Sequence, residues 1–572
     1  MKKLLIPIAV VAVGAAAYLY QQKEQQPAYN VLNYVPADTP IFSGQLAPFP
    51  LKDYLTSFPS LDNTQEIKLS EAFGYESAGI NFTQNIIDAY QEAVKTPSLL
   101  ATNFGLADQV RAYAYTIGLL PVVKIEVADP QVFWDLLDKS EQETGFTHTD
   151  GKLNEQPYRS YQLTEDDDQM KVELIISQAN GLFTFTLKSD IFTDQALAMA
   201  LEQQKPEKSL ADTGTITEIA KQHNLSESSI GFVNHVEIVK GLTTTDGNLI
   251  AKQLTELLKN ESRNPLTAIQ STICQQEFNS IAQNWPRTAF GYTQLDIDKD
   301  QATVGFSAII ESKNQVILNS LNALRGFIPE YTQGYDDKIA SFAYGFDVSK
   351  LSSSLTNIFS DLSTPSYQCA ELQKMQSDIT QAGQQLAMVG IGANMASGLK
   401  GISGAIYDYD LSDLSSTTPQ LNSLDGLFSI HADSPKALFD SLKMLAPIPA
   451  LDLVVDGPAV ALKSIMPIPP ELNIDPQVAI KGNHFVIYNG EKATKVANAL
   501  STEKLSSNGV AQIALDLPKL LAPILGEIEK SDEFLPAEIQ NLKDYDMRMK
   551  GGLDITEQGI RVDSTVNSKA VK

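Results

Sequence analysis

Val122-Val123-Lys124-Ile125-Glu126-Val127 alternates apolar and charged side chains with the period of a β-strand. Asp129-Pro130 follows at once, an N-cap residue and a proline at the first helical position. It opens a helix that carries Val132, Phe133, Leu136 and Leu137 on one face. Three further strand patterns come next, Tyr158 to Leu163, Val172 to Ser177 and Leu182 to Leu187, then an Ala/Leu/Met helix from Ile191 to Gln203. Strands joined by turns, with a helix before and after them, predict an α+β domain of antiparallel strands with helices on one face.

The same succession returns later in the chain. Gly426-Leu427-Phe428-Ser429-Ile430-His431 reads as a strand, and Asp433-Ser434-Pro435 opens a helix bearing Leu438, Phe439, Leu442 and Leu445. Val478 to Lys481 and His484 to Tyr488 read as strands, and a helix runs from Glu491 to Leu500. Further out, Ile230-Gly231-Phe232-Val233-Asn234-His235-Val236 matches Val510-Ala511-Gln512-Ile513-Ala514-Leu515-Asp516, each leading into a helix. The hairpin at Leu295-Asp296-Ile297-Asp298-Lys299-Asp300 matches Leu553-Asp554-Ile555-Thr556-Glu557-Gln558, and Pro40-Ile41-Phe42-Ser43-Gly44 matches Ala340-Ser341-Phe342-Ala343-Tyr344. Five segments in one order, displaced by about 300 and then about 260 residues, point to two related repeats. The expected division is an N-terminal anchor over 1–24, repeat one over 25–320 and repeat two over 321–572, with Ser312 to Asp337 as the junction.

Met1-Lys2-Lys3 precedes an apolar run from Leu4 to Tyr20, followed by the polar Gln21-Gln22-Lys23-Glu24. Basic residues ahead of the run keep that end cytoplasmic, and about 17 apolar residues is enough for a single transmembrane helix. The expectation is a single-pass protein held in the inner membrane through residues 4–20, with its body in the periplasm. The alternative is a signal peptide cleaved near Ala15-Ala16-Ala17. The only cysteines, Cys274 and Cys369, are a disulfide candidate in an oxidising compartment, and such a bond would staple the two repeats together. The opening Asn33-Tyr34-Val35-Pro36-Ala37-Asp38-Thr39-Pro40 behind a hydrophobic segment resembles a group of exported bacterial proteins that share a PADT-type motif, a domain of unknown function. That resemblance implies a location and no chemistry.

The 572 residues carry 43 basic and 69 acidic side chains, a net charge of −26 that repels phosphate backbones, so nucleic acid is not an expected partner. His148, His223, His235, His431 and His484 form no close pair along the chain, and His235, His431 and His484 sit on strand patterns. Ser501-Thr502-Glu503-Lys504 lacks the partner motifs of a serine–lysine enzyme. Gly390-Ile391-Gly392 lacks the third glycine of a dinucleotide loop, and Gly390 to Gly404 reads as close packing or a turn. Asp296, Asp298 and Asp300 have calcium-loop spacing but lack its glycine and its closing glutamate. No enzyme, cofactor or metal is expected.

One departure from symmetry is apolar. Where repeat one has the polar stretch Ser140 to Gln156, repeat two has a Met- and Pro-rich run from Leu445 to Pro470. Its apolar members Leu445, Ile448, Val454, Val455, Ile465, Met466 and Ile468 are the candidate contacts for an envelope protein partner or for a lipid; the alternative is that they pack on the body. The sequence therefore reads as a non-catalytic, protein-binding or structural envelope protein, with a carrier of lipid or another hydrophobic ligand as the second reading.

Overall fold

The structure is a computed structural model that describes residues 31–58, 68–73, 77–164, 170–335, 337–412, 420–443, 452–469, 472–531 and 542–571. The apolar run 4–20 lies outside these residues. Among the described residues, no helix is long and apolar enough to cross a membrane. The chain divides into two compact units, Met1–Glu311 and Ser312–Lys572. The division falls at the start of the junction expected over Ser312 to Asp337, and the helix Gln315–Ala323 spans the 320/321 point.

The first unit contains β1 (Ile41–Phe49), β2 (Val110–Ile117), β3 (Leu120–Glu126), β4 (Thr149–Leu153), β5 (Gln156–Gln162), β6 (Val172–Ala179), β7 (Leu182–Ser189), β8 (Ser229–Asn234), β9 (Arg287–Asp298) and β10 (Gln301–Glu311). Across the sheet they lie in the order β4-β5-β6-β7-β3-β2-β1-β8-β9-β10, with every neighbouring pair antiparallel. Among the described residues, four helices fall between β1 and β2: α1 (Leu51–Ser57), α2 (Leu69–Phe73), α3 (Ala78–Lys95) and α4 (Leu99–Phe104). After β3 comes α5 (Pro130–Thr144), after β7 come α6 (Asp194–Ala200) and α7 (Thr215–His223), and after β8 come α8 (His235–Thr243), α9 (Leu249–Leu258) and α10 (Thr272–Asn284).

The second unit contains β11 (Ala340–Gly345), β12 (Leu399–Ser412), β13 (Gln420–Ala432), β14 (Val460–Ala461), β15 (Gln477–Lys481), β16 (His484–Asn489), β17 (Ala511–Asp516), β18 (Tyr545–Thr556) and β19 (Gly559–Ala570). Their order is β14-β15-β16-β13-β12-β11-β17-β18-β19, again antiparallel throughout. Position for position this is the order of the first unit with β4 left out. The helices are α11 (Gln315–Ala323) ahead of β11, α12 (Leu351–Ser363) and α13 (Ala370–Met395) between β11 and β12, α14 (Pro435–Lys443) after β13, α15 (Glu491–Leu500) after β16 and α16 (Leu517–Ser531) after β17.

Local signals place α5 where the sequence predicts it. The Asp129 side chain accepts the Gln131 N–H, Pro130 takes the first helical position, and Gly145 ends the helix at φ 71° with its N–H on the Glu141 carbonyl. Phe133 then packs its ring 4.7 Å from Phe183 and 5.7 Å from Phe185. On the other face of the same sheet, α6 places Ala196, Met199 and Ala200 in a core with Tyr113, Val122 and Leu182. Helices therefore cover both faces of the sheet, which corrects the expectation of one. The reason is in β3, where Leu120, Pro121, Val122, Val123 and Lys124 are all buried, so both of its faces need cover. In the second unit α14 stacks Phe439 on Phe485 at 5.2 Å, while α15 packs Ala493, Ala497 and Leu500 with Val486, Tyr488 and Ala405 on the opposite face.

Two readings shift. The helix expected from Ile191 starts at Asp194, because the Thr193 hydroxyl accepts the Ala196 N–H as its cap. The glycine-rich segment 390–404 is the end of α13 and the start of β12, with Gly398 at φ 93° between them. Neither cysteine is free: Cys274 and Cys369 are both buried and disulfide-bonded.

Candidate functional site

The outward face of the sheet in the second unit is apolar where water is expected. In-register residues of neighbouring antiparallel strands share a face, so the pairings define rows across the sheet. One row, from β15 to β19, is Val478, Ile487, Phe428, Gly404, Phe342, Ile513, Gly551 and Ser564. The next is Ile480, Phe485, Ile430, Ile402, Tyr344, Ala511, Leu553 and Val562. A third, from β13 to β19, is Gly426, Ile406, Ala340, Leu515, Met549 and Val566. None of these positions is charged.

The alternate positions, among them Ser403, Ala405, Leu427, Ser429, His431, Ala514 and Asp516, are buried on the opposite face. At its β15 and β16 end the apolar face is closed: Phe439 of α14 and Leu453 cover Val478 and Ile480. Further along it is open. Phe428 is 36% exposed, Ile406 37%, Val562 48%, Tyr344 50% and Ile513 52%. Antiparallel sheets with one solvated face alternate apolar-in and polar-out, so exposed aliphatic and aromatic side chains on five of six neighbouring strands depart from that pattern and mark a candidate contact surface.

The Met- and Pro-rich run forms one border of this face and divides in two. Leu453 is buried in the covering cluster, and Leu462 and Ile465 pack against it. Val454, Val455 and Met466 point out, at 61%, 46% and 51% exposure, and Ile468 is half-buried. Val455 bridges to Ile480, and the Asp456 N–H donates to the Ile480 carbonyl, so this stretch runs beside β15. Leu445 and Ile448 lie outside the described residues. Of the sequence candidates, Val454, Val455 and Met466 are exposed next to the face, whereas Ile465 serves the core. Sequence reasoning missed Phe342, Tyr344, Ile406, Phe428, Ile513 and Val562, because a strand that is apolar at both parities does not declare which face is open.

Chemistry is poorly supplied elsewhere. A shallow cleft of about 290 Å³ at the start of α14 is lined by Ser349, Ser397, Gly398, Asp433, Ser434, Ala437, Leu438 and Ser441. Beside it, the Lys400 ammonium lies 2.8 Å from Asp347 Oδ2 and 3.3 Å from Asp433 Oδ2. Partial burial acts to lower the Lys400 pKa, but the two carboxylates outweigh it and hold the group protonated, which unfits it as a general base. His223 Nε2 lies 2.7 Å from Glu311 Oε1 and His148 Nδ1 2.6 Å from Glu141 Oε1. His235 opens α8 rather than lying within a strand, with Nδ1 2.8 Å from the Trp285 carbonyl. Asp296 and Asp298 end β9 in the hairpin, and among the described residues no three His, Cys, Asp or Glu side chains gather as a metal site.

The chain matches no family model, no curated protein and no solved structure.

Proposed function

We propose that this is a single-pass envelope protein, tethered to the inner membrane by residues 4–20, whose periplasmic body works without catalysis by binding another envelope protein. The observation that carries the reading is the uncharged, partly exposed sheet face of the second unit, centred on Phe342, Tyr344, Phe428 and Ile513. A surface of this kind matches the apolar core of a protein–protein interface, with Val454, Val455 and Met466 as its border. The matched strand order of the two units supports an internal duplication, in which the second copy exposes an apolar face. The PADT-type opening supports the exported location.

The second reading, a carrier of lipid or another hydrophobic ligand, draws on the same observation, since rows of aliphatic side chains without charge also suit an acyl chain. One experiment separates them. A photo-crosslinking residue is placed at Tyr344 on the face, or at Glu491 on the helix that covers the opposite face, and the full-length protein is irradiated in its native membrane. A discrete protein adduct at Tyr344, absent at Glu491 and lost on adding Ile513→Asp, supports the first reading. A lipid adduct with the same dependence supports the second. Equal labelling at both positions removes the face as a binding surface.

A further inference from the structure

His431 and His484 face each other across β13 and β16, fully buried, and stand in a chain of hydrogen bonds with one fixed end. His484 Nε2 lies 3.0 Å from the Glu503 carbonyl, which only accepts, so that nitrogen carries a proton. In the neutral ring Nδ1 is then a lone pair, and the 2.7 Å contact with His431 Nδ1 requires the proton on His431. His431 Nε2 is left as an acceptor and takes the Ser403 hydroxyl proton at 2.6 Å, and Ser403 Oγ in turn accepts from the Tyr331 hydroxyl at 2.6 Å. The chain runs one way, from Tyr331 through Ser403, His431 and His484 to the Glu503 carbonyl, and both rings are neutral.

Its ends belong to two segments that close over the pair. Residues 326–332 bring Phe327, whose ring centroid is 5.0 Å from His431 and 5.5 Å from His484, together with Tyr331. Residues 503–509 bring the Glu503 carbonyl. The two segments are held together by Gly326 N–H to Gly509 O at 3.1 Å, by the paired Asn508 side chain and Ile328 backbone at 2.7 and 2.8 Å, and by Glu330 N–H to Glu503 Oε1 at 2.8 Å.

We propose that the pair is a proton-operated latch: taking up one proton on His431 Nε2 reverses the outer part of the chain and frees the Tyr331 segment. The added proton turns Nε2 into a donor, so the Ser403 hydrogen loses its acceptor; turned on Tyr331 instead, it displaces the Tyr331 hydroxyl hydrogen from Ser403 Oγ. A second proton would set two N–H groups against each other at 2.7 Å, which the pair cannot hold. Around the pair, Ser429 Oγ lies 3.4 Å from His431 Nδ1 and Lys481 is in register with His484 on β15, while Tyr407 and Glu503 bear on Tyr331, and Glu330 bears on Glu503. Burial disfavours the imidazolium of both rings, and His484 adds to this at His431, so both folded pKa values lie below the ordinary value. A base held low when folded leaves stability intact above about pH 6.5. Stability is lost progressively as pH falls from there toward the folded values, because the unfolded chain binds protons more readily than the closed native one.

The test is hydrogen exchange on the full-length protein at about pH 7.5 and 5.5, corrected for intrinsic rates, with ring ¹⁵N spectra of the histidines. The expected result is neutral rings at the higher pH, protonated at Nδ1 in His431 and Nε2 in His484. Acidification should then raise exchange about tenfold or more in 326–332 and 503–509, ahead of the rest of the unit. Tyr331→Phe should exchange fast in residues 326–332 at both pH values. Unchanged exchange on acidification, an imidazolium at pH 7.5, or a uniform rise through the whole unit each overturns the latch.

Discussion

Burying Lys124 removes an ammonium group from water, and its surroundings show how that cost is offset. Nζ donates to Thr184 Oγ1 and to the Ala200 carbonyl at 2.8 Å each, and lies 3.1 Å from Glu202 Oε1. Burial pulls the lysine pKa down and Glu202 pushes it back up. Glu202 itself sits at φ 63°, in the left-handed region, just past the end of α6. A buried pair of this kind adds little over an apolar pair of the same volume, but breaking it leaves a charge without a partner. Lys124→Ala is therefore expected to destabilise the first unit by about 3–5 kcal/mol, and the joint change Lys124→Met with Glu202→Leu by much less. Urea unfolding followed by the fluorescence of Trp134 and Trp285, both in this unit, measures the difference. Similar losses for the single and joint variants would mean that packing, not charge, decides the site.

At the scale of elements, what the sequence made legible is what local chemistry specifies. The Asp129-Pro130 start of α5 was readable because one carboxylate, one proline and the spacing of Phe133 and Leu137 suffice to set it. Asp129→Ala should cost about 1 kcal/mol in the same unfolding experiment, through the lost bond to the Gln131 N–H. What stayed hidden depends on partners far away in the chain. Lys124 and Glu126 share one strand parity, yet only the fold reveals that Lys124 meets α6 while Glu126 pairs with Arg111. β12 begins inside the stretch Gly390 to Gly404, which reads as close packing or a turn from its glycines. Their reason is tertiary: a side chain at Gly401 would press within 2.7 Å of the Phe327 and Tyr344 carbonyls, and one at Gly404 within 2.7 Å of the Phe342 ring. The open face was illegible for a related reason, since Leu427 and Phe428 look alike in sequence and point opposite ways. The disulfide was a matter of counting. A non-reduced digest should release one peptide pair joining Cys274 and Cys369, and Cys369→Ser should cost about 4 kcal/mol in the chain-entropy account of a loop this long. Thiol labelling of the unfolded, unreduced protein that captures either cysteine would contradict it.

The whole molecule combines two features that ordinarily oppose each other, a net charge of −26 and an apolar sheet face that is partly exposed among the described residues. The charge opposes association of copies at neutral pH, because bringing two such bodies together concentrates like charge across a few Debye lengths. The face supplies the attraction that this repulsion holds in check. As pH falls toward the isoelectric point near 4.6, the repulsion fades while the apolar rows are unchanged, so self-association should rise before the fold is lost. Salt at neutral pH should act in the same direction by screening. Light scattering on the detergent-solubilised protein, taken from about pH 7.5 to 5 and repeated with added salt, measures this. Phe428→Asp with Ile513→Asp should abolish most of the increase, with the smaller cost to unfolding at Ile513, 52% exposed against 36% for Phe428. Acidification also works on the His431–His484 pair, so the same series on His484→Gln tells the two effects apart. Association that follows the aspartate substitutions and ignores His484→Gln belongs to the face. Association that follows His484→Gln belongs to opening of the segments over the pair, and the face would then have to be reread as cover for part of the chain itself.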